Sequence, residues 1–323
     1  MKTLLLTNHY EGLPLEILTG AVQNRFRLQV LDAISQEELI SRVGDADYLL
    51  VSGNLKIDKT VLDNALKVKM IQRTGVGLDV FDLNELKKRN IPLYVNAGVN
   101  STSVAEHAIM MMLSVLRRTA AVDRQIRSGI WKKQQTGLST HELAGKTVGI
   151  IGMGNIGKKV ARMLMGFDVK ILYFDQYRLS AEEESQYCVQ YCSLDELLAQ
   201  SDIVTLHCGY DPKSGALLTA EKISEMKRGS IIVNTARGKL VDTTALCEAL
   251  DSGHIAGAGI DTYEDEPIRQ DNPLFAYNMN TILSPHIAGV TYEAFERMMN
   301  KALSNIIAFD EGRLDEISSY KRV

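Results

Sequence analysis

Short runs of Leu, Ile and Val recur along this chain, separated by longer stretches in which apolar residues return every three or four positions. Short β-branched or Leu-rich runs at residues 3–7, 48–52, 70–73 and 92–95 predict strands. Between them, residues 35–43 and 60–65 carry the helical period. Near Asn100 the rhythm changes. Residues 101–118 contain no Gly or Pro and predict one long helix, with Ser101 or Thr102 as its N-cap. A looser segment with Arg127, Trp131 and the polar run 132–135 follows. A second alternating series then occupies residues 146–285, with strands expected at 147–151, 170–174, 203–207, 230–234, 256–261 and 281–284. Residues 292–312 are helical again. Two such series in 323 residues, without repeats or a low-complexity linker, predict an α/β protein with two doubly wound parallel-sheet domains.

The strand expected at 147–151 leads into Gly152-Met153-Gly154-Asn155-Ile156-Gly157, and a helix is expected over 158–165. Gly152 permits a tight turn and Gly154 lets backbone approach a pyrophosphate. Gly157 lets the helix pack close to the strand, with its first amides aimed at the phosphates. A tight strand-to-helix turn alone would explain the glycines. The next strand, however, ends in Asp175, eighteen residues after Gly157, where a carboxylate accepts from ribose hydroxyls and repels a 2′-phosphate. That favours NAD over NADP, with Arg178 as the nearby cation that would argue otherwise.

Chemistry on doubly wound sheets gathers beyond the carboxyl ends of the strands. Three later strands deliver polar groups there: Asn234-Thr235-Ala236-Arg237-Gly238, Asp261 with the acidic loop Glu264-Asp265-Glu266-Pro267, and Ser284-Pro285-His286. An Arg can fork onto a substrate carboxylate, and a carboxylate can orient a His that donates a proton. Each alone reads equally as a solvated loop residue. Together they form an apparatus for reducing a 2-keto acid.

Composition narrows the setting. The chain is 45% hydrophobic and 24% charged with a net charge of −4, which offers no attraction to nucleic acid or to an anionic membrane. Cys188, Cys192, Cys208 and Cys247 are unpatterned, so free thiols and no metal site are expected. The amino-terminal apolar run is too short for a signal peptide and no stretch is long enough to span a bilayer, which points to a cytoplasmic protein.

The motifs just quoted resemble, in order and over nearly the whole chain, those of the D-isomer-specific 2-hydroxyacid dehydrogenase family. Gly75-Val76-Gly77-Leu78-Asp79 and Asn100-Ser101-Thr102-Ser103-Val104-Ala105-Glu106 belong to the same set. The resemblance implies a Rossmann NAD domain, residues 99–288, inserted into a flavodoxin-like substrate domain built from 1–98 and 289–323. It implies a catalytic set of Arg237, Glu266 and His286, with the substrate carboxylate held by Arg237 and the amides of Gly75, Val76 and Gly77. Around the cofactor it implies Gly152, Gly154, Asn155, Ile156, Gly157, Asp175, His207, Thr235 and Asp261, the last against the nicotinamide carboxamide. It also implies a homodimer formed through the long helix and the segment around Trp131, although Trp131 reads equally as a core aromatic.

Two departures stand out. Where the family shows Pro and then Thr after His207, this chain has Cys208-Gly209-Tyr210-Asp211. Phosphoglycerate dehydrogenases tend to carry an Arg where this chain has Ser52, so a phosphorylated substrate is disfavoured, with Arg73 the other nearby cation. D-3-phosphoglycerate dehydrogenase remains the alternative activity, followed by a phosphite-type oxidoreductase. An NAD-sensing corepressor-like scaffold would need the glycine turn alone.

Overall fold

A computed structural model describes residues 1–22, 24–53, 55–278 and 280–323. The chain divides into two compact units, Met1–Asn100 with Thr291–Val323, and Ser101–Val290.

In the first unit, strands β1 (Thr3–Leu6), β2 (Arg27–Val30), β3 (Tyr48–Val51), β4 (Met70–Arg73) and β5 (Leu93–Tyr94) alternate with helices α1 (Leu13–Val22), α2 (Gln36–Val43), α3 (Lys59–Asn64) and α4 (Leu83–Lys88). The strands are parallel in the order β2-β1-β3-β4-β5, the flavodoxin-like winding. Successive side chains go to opposite faces: Leu5, Leu49 and Ile71 meet α2 and α3 residues, whereas Leu4, Leu6, Leu50 and Met70 meet the carboxyl-terminal helix Tyr292–Asp310 through Met299, Leu303 and Ile306. Helices start where side-chain oxygens cap them. Ser35 accepts from the Glu38 amide, Asp58 from Val61 and Asp82 from Asn84 and Glu85.

The second unit opens with α5 (Ser101–Arg117), α6 (Thr119–Arg127) and α7 (Lys133–Gly137). Strands β6 (Thr147–Ile151), β7 (Lys170–Phe174), β8 (Val189–Tyr191), β9 (Ile203–Leu206), β10 (Ser230–Asn234), β11 (Ile255–Ile260) and β12 (Thr281–Leu283) follow. Helices α8 (Asn155–Leu164), α9 (Ala181–Tyr187), α10 (Leu194–Gln200), α11 (Ala220–Ser224) and α12 (Thr243–Asp251) lie between them. All pairs are parallel, in the order β12-β11-β10-β9-β6-β7-β8. Counted within the unit this is 3-2-1-4-5-6 with a seventh strand added, the winding of dinucleotide-binding sheets. The order reverses between β6 and β9, so the loops after those two strands flank the switch point where ligands collect.

The structure differs from the sequence reading at several ends. Helix α8 starts at Asn155, not 158, because Gly154 is the extended N-cap and the first helical amides lie within the glycine run. Ser101 is the first residue of α5 and is buried in it, not a cap before it. Trp131 is 80% exposed, which removes the core alternative. Strands β2 and β8, each at one edge of its sheet, are not among the expected strands, since Arg27, Gln29 and Gln190 interrupt their apolar residues.

Candidate active site

The loop after β6 is shaped by close backbone approach. Gly152 has φ +97°, and a Cβ there would lie 2.7 Å from the His207 carbonyl carbon. A Cβ on Gly157 would lie 2.0 Å from the Gly152 oxygen, so helix α8 rests directly on the turn. Gly154, Asn155 and Ile156 stand at the helix amino end, and a Cβ on Gly154 would meet nothing within 4 Å, leaving the turn open on that side. Asp175 directly follows β7 and is tied to this loop by accepting from the Met153 amide at 2.7 Å; it also accepts from the Tyr177 amide at 3.1 Å. Arg178 turns away from it: Nε and Nη2 fork onto Glu184 at 2.8 and 3.1 Å, and the guanidinium lies 5.2 Å from the Tyr191 ring centroid.

Across the switch point, His207 follows β9. Its Nε2 pairs with Thr205 Oγ1 at 2.9 Å, and its Nδ1 is sealed from water with no protein partner. Burial pushes the imidazole down to about 3, so the ring is neutral throughout the physiological range. Between about pH 6.5 and 3 the unfolded chain therefore binds a proton that the folded chain does not. Stability should fall as pH drops below about 6.5, by up to about 1.4 kcal/mol per unit from this group. Urea midpoints at pH 7.5 and 5.0 should converge in His207→Gln; an unchanged difference would remove His207 from the acid response.

The reactive groups converge on the neighbouring strand ends. Arg237 follows β10 in extended backbone and is half-buried. Its loop is fixed by Asn234, whose Nδ2 donates to the Arg237 carbonyl at 2.8 Å and whose Oδ1 accepts from the Ala236 amide at 3.0 Å. Gly238 meets the next loop without space: a Cβ would fall 1.9 Å from the Tyr263 carbonyl carbon. That contact sets the Arg237 loop against the segment bearing Glu266. The acidic run is resolved by its partners, since Glu264 accepts from the Thr243 amide whereas Glu266 Oε2 meets His286 Nδ1 at 2.7 Å. Burial alone would raise the Glu266 carboxyl, but the His286 hydrogen bond, the Tyr263 amide and the charges of His286 and Arg237 outweigh it. The carboxyl stays below its ordinary value and ionised. As an ionised carboxylate can only accept, His286 Nδ1 carries a hydrogen and Nε2 is the nitrogen left to exchange a proton.

Asp261 does something the sequence did not reveal. It is 0% exposed, and its carboxylate accepts from Ser284 Oγ and from the amides of Ile287 and Ala288, both at 2.9 Å. Asp261 is thus a buried carboxylate that holds the His286 segment. Thr235 directly follows β10 and has a buried, unpartnered Oγ1. Gly75, Val76 and Gly77 form the loop after β4 in the first unit, where Gly75 accepts from the Asn96 amide at 3.1 Å and Val76 is 51% exposed.

Residues 109–288 match the family model described as D-isomer specific 2-hydroxyacid dehydrogenase, NAD binding domain. The chain belongs to this family. A glyoxylate reductase from Thermofilum pendens is 40% identical over 282 residues, covering 87% of this chain and 83% of the relative. A D-3-phosphoglycerate dehydrogenase from Archaeoglobus fulgidus is 37% identical over 272 residues, 84% of this chain but 51% of its own length. Among solved structures, a D-lactate dehydrogenase from Treponema pallidum superposes with a TM-score of 0.81 at 28% identity, covering 97% of both chains. The protein is an NAD-dependent oxidoreductase acting on the CH–OH group of 2-hydroxy acids.

The residues around the glycine turn fit a dinucleotide. The glycine cradle, the acid at the end of β7, and the orphaned Thr235 Oγ1 and His207 Nδ1 all lie along the carboxyl edge of one sheet. In the segment after His207, Asp211 accepts from the Lys213 amide and the Ser214 hydroxyl, closing a turn.

Proposed function

We propose that Arg237, Glu266 and His286 carry out the reduction of a small 2-keto acid, and that the Gly75, Val76 and Gly77 amides of the first unit are carboxylate-binding groups. The His286–Glu266 bond of 2.7 Å, built beside Arg237, is the observation that supports this most. NADH, when bound along Gly152, Gly154, Asn155, Ile156 and Gly157, supplies the hydride. Arg237 binds the substrate and draws charge onto the carbonyl oxygen. His286 then gives that oxygen its Nε2 proton, and Glu266 stabilises the ring through the change. The products are the 2-hydroxy acid and NAD+.

A small uncharged side chain on the substrate fits best. At the carboxyl edge of the first sheet, the Ser52 hydroxyl is capped by the Tyr10 phenol at 2.7 Å and its backbone is paired with Thr7 Oγ1. Arg73 donates to the Gly53 carbonyl at 2.8 Å and lies 6.0 Å from the Phe81 ring centroid. A phosphate finds no dedicated cation at Ser52. NADH oxidation with glyoxylate, hydroxypyruvate, pyruvate, branched 2-keto acids and 3-phosphohydroxypyruvate tests this. Glyoxylate should exceed 3-phosphohydroxypyruvate in kcat/KM by about 10- to 100-fold, the worth of a missing charged hydrogen bond; the opposite ranking rejects the reading.

The partner is a second copy, joined through the α6–α7 surface. Ile126, Ile130 and Trp131 are exposed there and line an open groove of about 520 Å³, and Leu138 is exposed as well. A solution mass near 35.8 kDa, that of one chain, would contradict it. Four free thiols fit a cytoplasmic location, and no helix among the described residues is long and apolar enough to cross a membrane.

A further inference from the structure

His286 sits in a conformation it would not choose. Its φ is +55°, in the left-handed region, which costs a non-glycine residue about 1 kcal/mol or more. The surroundings must impose it. Three consecutive amides are gripped by one residue: His286 by the Asp261 carbonyl at 2.8 Å, and Ile287 and Ala288 by its two carboxylate oxygens. Asp261 is itself held. Ser284 Oγ donates to it and lies 2.9 Å from His107 Nε2, while the Ser284 carbonyl accepts from the Tyr263 hydroxyl at 3.0 Å. Because the Ser284 hydrogen is committed to a carboxylate, its oxygen must accept from His107, and Nε2 of that ring carries a hydrogen. His107 lies on α5, one turn before Met111, whose Cβ is 2.8 Å from where a side chain on Gly259 of β11 would begin. The ring therefore projects from a helix packed hard onto the strand that leads into Asp261.

The geometry points to His107 and Ser284 as positioning residues that hold His286 in its proton-donating pose through Asp261. The inference rests on His286 being the acid, and it deepens that reading. Titratable and charged groups facing the segment within this unit are Glu266, Asp261, Arg237, Tyr263 and His107. Without the His107 donor, Ser284 is free to rotate, Asp261 loses its orientation, and the His286 segment relaxes toward ordinary backbone. The Nδ1–Glu266 alignment then degrades while the glycine turn stays intact.

Four variants of the full chain test this: His107→Leu, His107→Gln, Ser284→Ala and Ser284→Thr. His107→Leu and Ser284→Ala should lower kcat for keto acid reduction by about 10- to 100-fold, the usual effect of misplacing a reacting group by about an ångström. The keto acid KM and the NADH Kd, read by fluorescence titration, should stay within about twofold, because the interactions lost belong to the transition state. The alkaline limb of the pH–rate profile should move to lower pH in both. Gln places an amide N–H near the position of Nε2 and Thr keeps the hydroxyl, so these two should recover most of the rate and the parental profile. Unchanged kcat and profile in Ser284→Ala would overturn the proposal, even if His107→Leu fails to fold. So would a Gln variant as impaired as Leu, since that marks a packing role. Failure here with His286→Gln still inactive leaves the acid assignment standing, so the two readings fail separately.

Discussion

Replacing His286 with glutamine should lower kcat for keto acid reduction by about 10²- to 10⁴-fold, the range in which a positioned general acid contributes. Glutamine has similar bulk and the loop is held through backbone amides by Asp261, so the loop should survive, but glutamine has no proton to release at neutral pH. Affinity for NADH should change by less than about twofold, because the glycine turn lies after β6 whereas His286 follows β12. Stopped-flow reduction with NADH titration in parallel separates the two effects. A variant within tenfold of the parent would show that the proton comes from water or another group, and the His286–Glu266 pair would then be structural.

How much of this was legible before the structure depends on what carried the signal. Strands β4, β6, β7 and β10 fall on their expected residues because their runs are buried on both faces and need no alternation. Strand ends slip by a residue, as at β9, where His207 already belongs to the turn that faces the glycines. The strand-end position of Arg237, the acid run and His286 could be read because a parallel sheet sends such residues to one edge. Which acid meets His286 could not be read from spacing, as Glu264 and Glu266 differ only in how the loop folds back. Asp261 illustrates the harder limit. Its role is exerted on backbone amides twenty-six and twenty-seven residues away, and no residue-type pattern encodes that. His107 was hidden for the same reason: on sequence it is one of several polar residues in an amphipathic helix, and only packing on β11 brings it to Ser284. Asn234 did carry a signal, since an Asn closing a strand before a short loop is an Asx-turn former.

Arg237 should be the next most costly replacement, and for two separable reasons. A guanidinium presents parallel donors that match a carboxylate, and it also faces the carbonyl oxygen as charge builds there. Arg237→Gln should therefore raise KM and lower kcat together, with kcat/KM down on the order of 10³-fold. Arg237→Lys keeps the charge without the fork and should recover only about tenfold. The pH dependence offers an independent reading. Arg237 is one of the groups holding the Glu266 carboxyl below its ordinary value, so its removal lets that carboxyl rise. Activity that needs ionised Glu266 is present above the folded-state value and is lost as pH falls through it. The acid limb of the glutamine variant should thus lie at higher pH than in the parent, and the lysine variant should lie between them. If KM alone rises and the acid limb stays in place, Arg237 binds substrate without reaching Glu266. Small changes in both constants would reduce it to a loop arginine, and the loop's packing through Gly238 and its Asn234 bridge would then have a purely structural purpose.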